Sequence, residues 1–71
     1  EDWKTAFTYL LEAKNLGYDK YPGRLDILMG ISLYELNDYP KARSFFTNAL
    51  DFEDSKISAE GWLTYIDELS K

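Results

Sequence analysis

The side chains able to do chemistry in this 71-residue chain are its carboxylates, because it contains neither cysteine nor histidine. Without those two residue types the usual nucleophile and base pairs, the common zinc sites and thiol redox work lose their central members. Paired-carboxylate hydrolysis is left, with Asp51 and Glu53 or Asp67 and Glu68 as candidates. Such a pair needs one carboxyl kept protonated by apolar surroundings or by the other carboxylate facing it. Adjacent residues on a helix point in different directions, and nothing apolar surrounds these pairs, so the chain reads as a non-enzyme. Asp51, Glu53 and Asp54 fail as a calcium loop, lacking the central Gly and the bidentate Glu at the required offset, and read as a solvated helix end. No cofactor and no metal ion is expected.

Thirteen acidic residues against eight basic ones give a net charge of −5 and an isoelectric point near 4.5. That balance repels a phosphate backbone, so nucleic acid is not an expected partner. Apolar runs stop at two or three residues, far short of the roughly 20 that span a bilayer, so membrane insertion is not expected either. The size allows one domain. With no disulfide available, that domain must rest on dense packing of its aromatics, which make up 17% of the chain, and its leucines and isoleucines. The chain opens at Glu1 without a methionine and reads as a fragment or processed product. The absence of cysteine fits cytoplasm and export alike.

Apolar spacing of three and four residues defines four helices. The first carries Trp3, Ala6, Phe7, Leu10 and Leu11 and ends at Gly17. The second begins after Pro22 and Gly23 and runs to about Leu36, with Leu25, Leu28, Met29, Ser32, Leu33 and Leu36 on one side and Ile27, Ile31 and Tyr34 on another. The third follows Asn37 and an N-capping Asp38, carries Ala42, Phe45, Phe46, Ala49 and Leu50, and stops near Phe52. The fourth, capped by Asp54 or Ser55, shows Ala59, Trp62, Leu63, Ile66 and Leu69. Four Thr, four Ile and no Val leave little material for strands. The expected class is all-α with antiparallel neighbours, since every connection is short.

Ala42, Phe46 and Ala49 have counterparts in Ala6, Leu10 and Ala13, each displaced by the same 36 residues. Small residues at these positions let a neighbouring helix approach closely, while Leu10 and Phe46 fill the space between. This pattern resembles the tetratricopeptide repeat family, whose 34-residue signature runs W-x2-L-G-x2-Y, then A-x3-F, then P. Between Leu25 and Asp54 its Leu-Gly pair appears as Met29-Gly30, its turn as Asn37-Asp38-Tyr39, its Ala as Ala42, its Phe as Phe46 and its later Ala as Ala49. Its Trp falls on Asp26, its Tyr on Leu33 and its closing Pro on Asp54. The resemblance implies antiparallel hairpins stacked as a short right-handed α-solenoid. In that frame 2–16 is the second helix of a partial repeat, 23–54 a full repeat and 56–70 a C-terminal capping helix, all within one domain spanning 1–71 of a longer repeat protein. The stretch Ser55 to Leu69, SKISAEGWLTYIDEL, also resembles the end of tetratricopeptide proteins encoded beside TonB-type energy-transducing complexes of marine bacteria, which implies a bacterial, periplasmic setting. A generic four-helix bundle is the alternative, though it would want one apolar face per helix and the second helix has two.

In the family the first helix of each repeat lines a concave groove. The resemblance therefore places Arg24, Ile27, Ile31, Tyr34 and Glu35 on that surface, followed on the fourth helix by Gly61, Tyr65 and Glu68. Relatives that grip a peptide carboxylate use Lys and Asn where this chain has Ile27 and Ile31, so an apolar or amphipathic peptide is the expected partner. Ile27 and Ile31 as ordinary core is the other reading. Tyr18 and Tyr21 would extend the strip, or pack locally beside Pro22, and Trp62 reads as core. A different role is self-association as a homo-oligomer through a first helix that exposes Trp3 and Phe7. On the groove reading, replacing Ile27 and Ile31 together by Glu abolishes partner capture and leaves the circular dichroism of the helices intact; retained capture would contradict it.

Overall fold

Four helices form where the apolar spacing places them. The computed structural model describes residues 2–17 and 20–69, in which α1 is Trp3–Leu16, α2 Pro22–Glu35, α3 Tyr39–Ala49 and α4 Lys56–Leu69, with no strand among the described residues. Helix ends follow local chemistry. The Asp2 carboxylate accepts from the Thr5 amide at 3.0 Å and the Asp38 carboxylate from the Lys41 amide at 3.3 Å, each satisfying an orphan donor of a first turn. Gly17, at φ 76°, turns α1 off by returning its own amide to the carbonyls of Ala13 and Lys14. Asn37, at φ 65°, does the equivalent after α2.

The third helix ends at Ala49, three residues before the expected stop near Phe52. The amides of Leu50, Asp51 and Phe52 reach back only three residues, to Thr47, Asn48 and Ala49, so the chain tightens into turns. Ser55 and Asp54, expected to cap α4, are used elsewhere. The Ser55 hydroxyl donates to the Ala49 carbonyl at 2.8 Å, and the Asp54 carboxylate accepts from the Arg24 amide of α2 at 3.2 Å. Asp54 thereby caps α2, whose own N-cap Tyr21 has no side chain for the task. Gly23 makes this approach possible, because a Cβ there would lie 2.8 Å from the Cβ atoms of Phe52 and Ser55.

Each helix packs on its neighbour in sequence, α2 also touches α4, and α1 does not meet α4 among the described residues. The result is a slab of 37 × 28 × 16 Å. Its core joins Leu33, Ala42, Phe46 and Ile66, all buried. Gly30 lets α3 close on α2, since a Cβ there would lie 2.5 Å from the Phe46 ring. Phe46 in turn stacks on Trp62 of α4 at 5.2 Å and 6°. On the α1 side, the Phe7 and Phe45 rings meet edge to face at 5.7 Å. Asp26 is buried there and paired with Lys14 of α1 at 2.7 Å, a polar joint between the two helices. Leu28 and Leu36, grouped by spacing with Met29 and Leu33 on one side of α2, are exposed, whereas Met29 and Leu33 are buried.

Gly30→Ala is expected to lower stability by about 1–3 kcal/mol through overpacking against Phe46. Lys14→Ala is expected to cost about 1–3 kcal/mol by leaving Asp26 buried and unpaired; this is less than for a fully buried pair because the Lys14 side chain is 36% exposed. Urea titrations of the two variants against wild type check both values.

Candidate functional site

Two neighbouring concavities share Ser58 in their walls. The first, of about 480 Å³, is lined by Tyr34 of α2 and by Ser58, Gly61, Trp62 and Tyr65 of α4. The second, of about 400 Å³, is lined by Tyr21, Arg24, Ile27, Asp54, Ser55 and Ser58. Their linings follow the helical period: 24, 27 and 34 on α2, and 58, 61, 62 and 65 on α4. The trans-cap from Asp54 to Arg24 anchors one end of this strip.

An aromatic cluster forms the other end. Tyr34 sits within 5.4 to 5.7 Å of the rings of Tyr39, Trp62 and Tyr65, and Trp62 meets Tyr65 edge to face at 6.0 Å. The Tyr34 and Tyr65 hydroxyls share a hydrogen bond of 3.1 Å. That bond, followed by desolvation and by the charges of Tyr65, Tyr39 and Glu35, pushes the Tyr34 phenol up to about 12. The ring therefore stays neutral through the whole physiological range.

The structure brings Arg24, Ile27, Tyr34 and Tyr65 together along the strip. Ile31 is half-buried and packs on the core, as does Ile27, so groove and core are not exclusive for Ile27, which does both. Glu35 is exposed beside Tyr34 and is not among the lining residues. Tyr21 lines the second concavity, whereas Tyr18 lies outside the described residues. Trp62, read as core, is half-buried and serves both surfaces, with Phe46 against its ring and the first concavity open beside it. Ser58 and Ser55 carry no apolar or charge signal, and Asp54 reads as part of a solvated acidic helix end; the 34-residue offset from Arg24 to Ser58 points to the first of them. On α1, Trp3 and Phe7 are half-buried, and the exposed apolar residues are Tyr9, Leu11 and Leu16.

The carboxylate pairs are not assembled into a site. Asp51, Glu53, Asp67 and Glu68 are exposed, and Asp67 is paired with Arg43. Among the described residues no group of three or more acidic side chains could hold a metal ion, and no helix is long and apolar enough to cross a membrane. Compared with family models, with curated proteins and with solved structures, the chain shows no match.

A raised Tyr34 pKa means that the folded state holds its proton more tightly than the unfolded chain. The stabilisation is fully present below pH about 10 and is lost as pH rises toward about 12. Ultraviolet titration is expected to show one late-ionising tyrosine near 12, which moves down toward 10 in Tyr65→Phe because the bond that protects it is gone. An unchanged late step in that variant would contradict the assignment.

Proposed function

We propose that the chain is a protein-interaction module of tetratricopeptide type, binding a peptide or a partner helix in the groove between α2 and α4. The observation that carries this is two adjacent concavities that share Ser58 between α2 and α4, with aromatic rings lining one and Arg24 lining the other. Helices packed in sequence order, with α1 and α4 apart, support a stacked solenoid over a closed bundle. Full burial of Ala42, Phe46 and Ala49, at the positions where the repeat pattern wants close packing, points the same way. Ile27 at a lining position in place of a charged or amide side chain favours apolar and amphipathic peptides over a carboxylate terminus. No catalytic role is included in this reading. The resemblance of the stretch Ser55 to Leu69 to TonB-associated tetratricopeptide proteins extends the proposal to a scaffold of the bacterial envelope, on its periplasmic side.

Self-association is a second reading, favoured by one observation. No residue of α1 is fully buried, and Tyr9, Leu11 and Leu16 are exposed on it. A solution mass fixed at 8.3 kDa over a wide concentration range would remove it.

The groove is best tested where the core is not disturbed. Ile27 and Ile31 pack on the core, so two Glu substitutions there would destabilise the fold as well as the groove. Gly61 has no atom within 4 Å of the place a Cβ would take, and it lines the first concavity. Gly61→Gln is expected to fill that space without charge and to stabilise α4 by about 0.5–1 kcal/mol, since Gly is a poor helix former. Peptides selected by the wild type from a random library are expected to bind the variant at least about tenfold more weakly, a loss near 1.4 kcal/mol. Undiminished binding, or no selected peptide at all, would overturn the groove.

A further inference from the structure

The aromatic end of the groove differs from the rest in its charge. Its lining holds the rings of Tyr34, Trp62 and Tyr65 and the small residues Ser58 and Gly61, with no lysine or arginine. The three rings stand at 57° to 79° to one another, so ring faces and edges meet in one small volume. The face of an aromatic ring carries negative potential and attracts a cation placed over it. Carboxylates flank the cluster. Glu35 follows Tyr34 directly and its charge is felt at the Tyr34 phenol, and Glu68 lies one helical turn beyond Tyr65. The chain as a whole carries −5. Several of the chain's own cations are engaged: Lys14 pairs with Asp26 and lies over Phe45, Lys20 lies over Tyr21, and Lys41 and Arg43 pair with Asp38 and Asp67.

We propose that this end of the groove is a cation subsite, taking the ammonium or guanidinium group of a lysine or arginine in the bound peptide. The proposal rests on the groove being a peptide site and names the chemistry of its partner. Tyr34 and Tyr65 would supply both ring surface and phenol oxygens to the cation, and Tyr65, 46% exposed, is open to it. Glu35 adds a longer-range attraction. Arg24 lies ten residues back on α2, about 15 Å along the helix, and repels a second cation. The basic residue therefore sits at one end of a peptide whose remainder is apolar.

Two capped tripeptides serve as probes, leucyl-lysyl-leucine amide and its norleucine counterpart, which share apolar flanks and differ in the charge. Binding is read from the Trp62 indole resonance, with Trp3 as internal control. The lysyl probe is expected to bind about five- to tenfold more tightly than the norleucyl probe. That preference should shrink as salt rises from about 20 mM to about 500 mM, because a partly exposed charge is screened. Tyr65→Leu, which keeps apolar bulk and removes the ring, should abolish the preference, and Tyr65→Phe should retain most of it. Equal affinity for the two probes, with both weakened by Gly61→Gln, would overturn the cation subsite and leave the groove standing. A preference that survives Tyr65→Leu would also overturn it, and no response at Trp62 to either probe would overturn subsite and groove together.

Discussion

Phe46 fills the space that Gly30 leaves open on α2 and stacks on Trp62 of α4, so one side chain of α3 sets two interhelical distances. A Cβ on Gly30 would push α2 outward, and a smaller residue at 46 would leave Trp62 without its stacking partner. Such an aromatic pair contributes about 0.5–1.5 kcal/mol beyond the area it buries. The larger consequence is geometric. Trp62 is held by Phe46 and in turn touches Tyr34 and Tyr65, so the aromatic end of the groove is built directly on the core.

This arrangement divides the molecule unevenly. Ala42, Phe46 and Ala49 on α3 are fully buried because α2 and α4 both pack on that helix. Their counterparts Ala6, Leu10 and Ala13 on α1 are only half-buried, because α1 packs its backbone on α2 alone and reaches α3 only through side chains, Phe7 and Lys14 against Phe45. The same apolar pattern is thus worth less burial on a helix packed from one side than on one packed from two. Asp26 belongs to this division. It is buried, and Lys14 of α1 pairs with it, so an ion pair joins the first two helices.

The connection between α3 and α4 does more than join them. Its residues were legible only as a polar stretch, and a polar stretch before a helix reads naturally as that helix's own cap. In the folded chain Asp54 serves α2 instead, thirty residues back in sequence, and Ser55 returns to the end of α3. Capping needs only a carboxylate or hydroxyl at hydrogen-bond distance from an orphan group, and proximity in space supplies it as well as proximity in sequence. Gly23, which the sequence pattern sets just before the second helix and the structure places in its first turn, is what permits that proximity.

Helix number and order, the start of α3 and the stop of α1 were determined by sequence alone, because they depend on residues close in the chain: the apolar spacing, Asp38 before Pro40, Gly17 after the last periodic residue. That Ile27 and Tyr34 share a side of α2 was legible too, since seven residues make nearly two helical turns. Tertiary structure decided what that period cannot express. It placed Trp62 on both the core and the groove, drew Ile31 inward, left Leu28 and Leu36 exposed, and turned Asp54 into a cap for a distant helix. A helical repeat says which side chains share a face; how much of that face is covered depends on what packs against it, and that is a property of the whole chain.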